Sequence, residues 1–567
     1  MDLLLDLYGF FSVLLHAAEL AARTALLGGV LFWLGVALPL AGDLYTPDAG
    51  RLPALARRAV LIAGLATLAT GPGGAVLNAL VLQASLDAPM DRVLGADFLR
   101  AAGLGAAATL ALIWLAWRGE HPGGWRRAAL LATAAAVILA ATASSHAMAR
   151  TEGRPMLLAA TALHATGAAL WLGGLPALLA TLRLDPATAR AAGRRYSGFA
   201  AGGLGLILLG IAGFWLGYLQ EASALYGTAY GAMSSTKAVL LALLLLLGLG
   251  NFLLLHRLAP PPRAVGAAVA APPGPDAGLL RVRRFVECEI ALGLAVLAVA
   301  ASLTSVPPAV DLPEDRVTWG EITERFTPDW PRLSGPDHAD LAIPALQARL
   351  DAEWRARQAA QQDRPQAFTP GEGLLPPRNA GDIAWSEYNH HWAGICVLLV
   401  GLAALLDATG RVPWARHWPL LFLGLALFIL VRSDPEVWPL GPISVAEALR
   451  DPEVVQHKLA GLLVAGFALV EWAVRLGRLR GGVRLVFPIA MIAGGVLLLS
   501  HTHAVANLRE ALLVELSHLP LAVLALVAGC ARWVELRGPP ALSGPARWIW
   551  PGCLILVGLL LLIYREA

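Results

Sequence analysis

Histidines crowd the edges of this chain's apolar runs. The stretch "LLLSHTHAVANLREALLVELSHLP" (residues 497–520) carries His501, His503 and His518, with Glu515 between two long apolar blocks. "SEYNHHWAG" holds His390 and His391, and "VVQHKLAG" holds His457. Nearer the start, "LLHAAELAART" contains His16, "SSHAMAR" contains His146 and Met148, and "ALHATGAALWLGGLPALLA" contains His164. Imidazole is a good ligand for copper, zinc and haem iron, and a thioether favours Cu(I). A His/Met mixture therefore points to copper. Glu515 and His518, three residues apart, share a helix face. His501 and His503 diverge on an ideal helix and converge only where it frays. The bland alternatives are interfacial histidines bonded to headgroups or backbone, and Met148 and Met156 as apolar filler. A different chemistry, b-type haem held by pairs such as His391 with His457 or His503 with His518, with Arg432 near a propionate, is also open.

The elements that position these residues follow from composition. Of 567 residues, 57% are hydrophobic and 15% charged, and mean hydropathy is +0.63. The apolar residues fall in blocks of roughly twenty, the length of a bilayer-spanning helix. The expected fold class is all-α: a polytopic transmembrane helical bundle of about fourteen helices. The spans are expected near 10–41, 56–84, 97–117, 125–144, 155–181, 196–219, 234–257 and 283–304, then 389–407, 415–431, 454–475, 484–500, 510–533 and 546–564. The N-terminus, with Asp2 and Asp6 and no basic residue before its apolar run, lacks the flank of a cleaved signal peptide and reads as a retained helix.

Lys/Arg placement orients the chain, because cytoplasmic loops collect positive charge. Arg118, Arg126 and Arg127 lie between the third and fourth spans; Arg183, Arg190, Arg194 and Arg195 between the fifth and sixth; Arg281, Arg283 and Arg284 before the eighth. Arg411, Arg416, Arg475, Arg478, Arg480, Arg484, Arg532 and Arg537 continue the alternation. These loops are expected in the cytoplasm and both termini in the periplasm. The chain then divides into an eight-helix membrane domain (1–310), a polar periplasmic loop (311–384) and a six-helix His-rich membrane domain (385–567). Within the loop, "ADLAIPALQARLDAEWRARQAA" reads as a short amphipathic surface helix. On this orientation ten of the thirteen histidines reach the outer side.

Several functions are excluded. A net charge of +3 gives no footprint for nucleic acid. Cys288, Cys396, Cys530 and Cys553 make no C-x-x-C pair, so neither a disulfide framework nor a thiolate site is expected. No phosphate-binding G-x-x-x-x-G-K-[ST] loop is present, so any transport is passive or ion-coupled. A transporter or metal-binding protein is expected rather than an enzyme. Gly173 and Gly174 read as sites of close helix approach. Glu289, in "FVECEIALG", is a carboxylate inside a span; pairing with Arg284 is expected, with proton or cation relay as the alternative.

The segment "ALHATGAALWLGGLPALLATL" resembles the H-x(6–7)-W-x-G-G-L signature of the bacterial copper-resistance D (CopD/PcoD) family of inner-membrane proteins. The resemblance runs on through "RRYSGFAAGGLGLILLGIAGFW", "LYGTAYGAMSSTKAVLLALLLLLGLGNFLLLHRL" and "RRFVECEIALGLAVLAVAASLTSVPPA". It departs from the family at "NFLLLHR", where Asn is usually followed directly by Arg. It covers residues 130–310 well and the first four helices loosely, with the six-helix part resembling an extension of longer members. The resemblance implies copper handling at the inner membrane beside a periplasmic copper carrier, with copper moving inward. His164 and Trp171 carry over onto the signature, His16 and His146 more loosely, and Glu289 onto an acidic position. The competing expectations are a haem or copper redox protein and a copper chaperone or assembly factor.

Overall fold

The computed structural model describes residues 8–86, 89–257, 276–313, 316–337, 340–341, 380–435, 437–441, 443–449, 452–500 and 509–566. Of the described residues 83% are helical, and none lies in a strand. Among the described residues fourteen helices are long and apolar enough to cross a membrane, which makes this a multi-pass membrane protein. In order they are α1 (Phe11–Asp43), α2 (Ala49–Gln83), α3 (Asp97–Trp117), α4 (Gly124–Ala143), α5 (Arg154–Thr181), α6 (Pro186–Leu219), α7 (Ala229–Arg257), α8 (Ala277–Leu303), α9 (Ala380–Ala408), α10 (Pro413–Arg432), α11 (His457–Arg475), α12 (Gly481–Leu499), α13 (Leu512–Arg537) and α14 (Pro540–Leu562).

All fourteen expected spans are present, but several start earlier than their apolar runs. α6 begins at Pro186, ten residues ahead of the hydrophobic block, because Asp185 caps it: its side chain accepts from the backbone N–H groups of Ala187 and Thr188, and Pro186 fills the first turn. Asp276 caps α8 in the same way through Gly278 and Leu279. Hydropathy reports the lipid-facing length; polar turns beyond it remain helical when capped.

The chain forms two compact units. One contains Tyr8–Ala222 and Met233–Val310, and hence α1 to α6, most of α7, and α8. Its core gathers Phe32, Trp33, Leu52, Leu112 and Leu130 with Val282 and Val286. Three of its helices contain π turns: Trp33–Ala37 in α1, Ala169–Gly173 in α5 and Trp215–Leu219 in α6. Such turns widen the helix and release a carbonyl from its usual partner. In α5 that turn packs against α1 at backbone distance. A Cβ on Gly28 would lie 2.1 Å from the carbonyl carbon of Gly173, and one on Gly173 would lie 2.0 Å from the oxygen of Thr24. Only glycine fits at either position.

The other unit joins Ser223–Ala232 to Asp311–Ala567. The short segment is tied in by Val317 N–H to Gly227 O (3.0 Å), by Arg316 Nη1 to Ser223 Oγ (3.1 Å) and by an edge contact of Tyr226 with Trp319. Its six-helix core centres on Trp418, Phe487 and Trp550. Beside that core, Glu471 accepts from Arg475 (2.8 Å) and Arg532 (3.0 Å), Arg475 reaches Asp407 (2.7 Å), and Arg532 reaches Glu535 (2.7 Å). Charges are tolerated within spans when paired in this way. The amphipathic segment expected at 339–360 lies almost wholly outside the described residues.

Candidate functional site

The first polar centre lies inside the eight-helix unit, among α5, α6, α7 and α8. Its middle is Glu289 on α8, 2% exposed. Asn251 on α7 donates its Nδ2–H to Glu289 Oε1, and Trp171 on α5 donates its indole Nε1–H to Oε2 at 3.4 Å. Both donors are neutral, and among the described residues no Lys, Arg or His pairs with this carboxyl group. The expected partner, Arg284, bonds Glu287 instead. The reason is helical phase: Glu287 is one turn from Arg284, whereas Glu289 is five residues on and points elsewhere. The other amide atom of Asn251, Oδ1, is buried with no hydrogen-bond partner.

The surroundings hold Trp171 in place. It sits in the π turn of α5, and Tyr196 on α6 donates its hydroxyl to the Trp171 carbonyl that this turn exposes. A Cβ on Gly174 would lie 2.5 Å from the Tyr196 ring, and one on Gly248 would lie 3.4 Å from the Trp171 ring. The same unit holds His164 on α5, whose ring lies against Phe214 (5.4 Å) and whose Nδ1 faces the Ile207 carbonyl at 3.4 Å. Lys237 on α7 is close enough for its charge to act on His164, and no ion pair forms at Lys237 among the described residues.

The remaining expected ligands of this unit are dispersed among separate partners. His16 Nδ1 lies 3.6 Å from Glu19, which Arg23 also engages at 2.6 Å. His146 Nε2 bonds the Thr304 carbonyl, and Met148 is 46% exposed. Among the described residues of the whole chain, no three of His, Cys, Asp and Glu gather closely enough to hold a metal ion.

In the six-helix unit the structure brings together two candidate histidines that the sequence reading did not pair. His390 on α9 and His518 on α13 have ring centroids 5.6 Å apart. His391 turns away: its Nδ1 accepts from Arg332 N–H (2.7 Å) and its Nε2 donates to the Tyr564 carbonyl (2.9 Å). It borders a cleft of about 260 Å³ lined by Asp329, Arg332, Glu387 and Arg565. His457 is held by Asp434 through Nδ1 at 2.7 Å, and Lys458 joins the same carboxylate at 2.8 Å. Burial pushes the Asp434 carboxyl up, but the hydrogen bonds from His457, Lys458 and Ser433 outweigh it and leave it below its ordinary value. Glu515 Oε1 is buried without a partner. His501 and His503 lie outside the described residues.

These observations define a polytopic α-helical membrane protein with polar centres inside its helices. Residues 190–303 match the family described as copper resistance protein D. That match includes Tyr196, Lys237, Asn251 and Glu289 and stops short of His164 and Trp171. The chain is also similar to "Copper transport protein CutJ" of Bacillus subtilis (strain 168), at 32% identity over 160 residues, 27% of this chain. It spans 26% of that relative's length. No solved structure matches.

Proposed function

We propose that this protein handles copper at the bacterial cytoplasmic membrane, capturing the ion on the periplasmic face and passing it inward. The observation that carries this reading is the Glu289 centre: a carboxyl group within a CopD-matching helix, bonded by two neutral donors, beside a bare amide oxygen of Asn251. A buried carboxylate short of counter-charge draws a cation. Copper is the cation that the CopD match and the similarity to a copper transport protein favour. His16, His146, Met148 and His164 are proposed as capture ligands nearer the outer face, supplied by a periplasmic copper carrier. Capture there is sequential, each residue handing the ion on, since these side chains stand with separate partners. Lys237 beside His164 opposes a cation and would act as a barrier that sets the rate of entry.

The test is copper accumulation in cells lacking their own uptake route and expressing the wild-type chain, Glu289→Gln or His164→Ala. Wild-type protein is expected to raise cellular copper, and each variant to lower that gain at least tenfold with unchanged membrane abundance. Equal accumulation with and without the chain would overturn the reading. A Soret band in the purified protein would replace it with haem-based redox chemistry.

A further inference from the structure

The six-helix unit holds a histidine pair that the CopD match does not reach. The His390 and His518 rings stand edge to face, 5.6 Å apart and 80° between planes. Each uses Nδ1 locally: His390 toward the Ser386 carbonyl at 2.9 Å, His518 toward the Val514 carbonyl at 2.8 Å. A carbonyl oxygen only accepts, so each Nδ1 carries the proton, and in the neutral ring Nε2 is a lone pair. Neither Nε2 has a hydrogen-bond partner among the described residues. This tautomer, with one ring N–H tied to an oxygen and the other nitrogen bare, is the one metal-ligating histidines adopt.

The setting is fixed and undercharged. Tyr564 stacks on His390 at 3.8 Å and lies 5.6 Å from His518, while its hydroxyl donates to Glu566 at 2.7 Å. Ser386, whose carbonyl holds His390, donates its hydroxyl to Glu566 as well. One turn before His518, on the same face of α13, Glu515 keeps a buried, unpartnered Oε1. Two aromatic rings packed for their apolar area would explain the stacking. They would not explain why both Nε2 lone pairs are left free one turn from a carboxyl oxygen, Glu515 Oε1, that is itself buried without a partner, which is costly.

We propose that His390 and His518 bind one Cu(I) ion through their Nε2 atoms, with Glu515 balancing its charge. Two imidazoles sharing a metal at about 2 Å from each nitrogen place their ring centroids about 6 Å apart, close to the observed spacing. Two ligands satisfy Cu(I), whereas zinc asks for four. Burial also selects the charge, since the cost of desolvating an ion grows as the square of its charge and is about four times larger for a divalent ion. The choice of copper rests on the function proposed above; the two-histidine site does not.

The full-length protein, purified without oxygen, is titrated with Cu(I) against a chromophoric Cu(I) chelator, beside His390→Gln, His518→Gln and the double variant. The wild-type chain is expected to bind one equivalent more than either single variant, and the double variant to lose no more than each single one, because a two-ligand site fails when either ligand leaves. X-ray absorption of the copper-loaded wild-type protein is expected to show a two-coordinate nitrogen shell. A folded double variant with wild-type stoichiometry overturns the site. If the variants do not fold, absence of that shell in the wild-type protein overturns it. Zn(II) bound in place of Cu(I) with the same histidine dependence overturns the choice of metal. If the wild-type chain lacks the two-histidine site yet raises cellular copper, this inference alone is refuted; if the site is present and no copper accumulates, the transport reading alone is refuted.

Discussion

His390 and His391 adjoin in sequence and occupy different environments, because successive helical residues point about 100° apart. His391 spends both ring nitrogens on backbone groups, accepting from Arg332 and donating to Tyr564. His391→Ala leaves that donor and that acceptor unpaired, so it should lower stability by about 2 kcal/mol while Cu(I) stoichiometry stays at the wild-type value. Thermal unfolding in detergent and the copper titration read the two effects separately. Asp434 behaves differently. Its folded pKa lies below the ordinary 3.8, so its contribution is complete above that value and is lost as pH falls through the lower, folded one. The Tm gap between the wild-type chain and Asp434→Asn should therefore be constant above about pH 5 and close on acidification below 3.8. A gap that persists at low pH would remove Asp434 from the account. The sequence made the residue types legible: His164, Trp171, Glu289, Glu515 and His518 were all singled out. It did not reveal Asn251 or Tyr196 as partners, because an amide and a phenol in apolar helices look like isolated polar residues until another helix brings them a donor or acceptor. Helical phase alone separates Glu289 from Arg284 and was the signal available for avoiding that pairing.

At the scale of the element, hydropathy made every span visible, since about twenty apolar residues have few other uses. It did not show where helices begin beyond the lipid, which Asp185 and Asp276 decide by capping. Nor did it show the π turn of α5, which depends on Tyr196 being present to satisfy the Trp171 carbonyl. The glycines of "LWLGGLP" were legible as contact residues, and the backbone distances at Gly173 give that reading its magnitude. A methyl group there would strike the Thr24 carbonyl of α1, and neither backbone can retreat without unseating the π turn. Gly173→Ala should cost about 3 kcal/mol or prevent assembly altogether. Gly198→Ala, on α6, meets nothing within 4 Å and should be neutral or stabilising by up to about 1 kcal/mol. Fluorescence-detected size exclusion with a temperature ramp distinguishes the two, and equal behaviour would contradict the close α1–α5 approach.

At the scale of the whole molecule, the proposed direction of copper movement depends on which face the histidines meet. On the orientation proposed from the arginine pattern, the links after α3, α5, α7, α9, α11 and α13 face the cytoplasm and those after α8, α10 and α12 face outside. Single cysteines test this in a chain whose Cys288, Cys396, Cys530 and Cys553 are replaced by alanine. Gly123→Cys and Gly481→Cys, beside basic links, should resist a membrane-impermeant maleimide in intact cells and react only after permeabilisation. Gly335→Cys and Gly441→Cys should react at once. Gly335 lies in the loop that supplies Arg332 to His391, and Gly441 lies in the link that supplies Asp434 to His457, so their labelling also reports the face of α9 and α11. His390 sits near the same end of α9 as His391, and a shared level with His518 carries that assignment to α13. The inverse pattern would place the histidine pair on the cytoplasmic face. A Cu(I) site there would receive ions leaving the membrane domain, and capture from a periplasmic carrier would then fall to His16, His146 and His164 or fail with them, because a reversed chain would turn those residues inward as well.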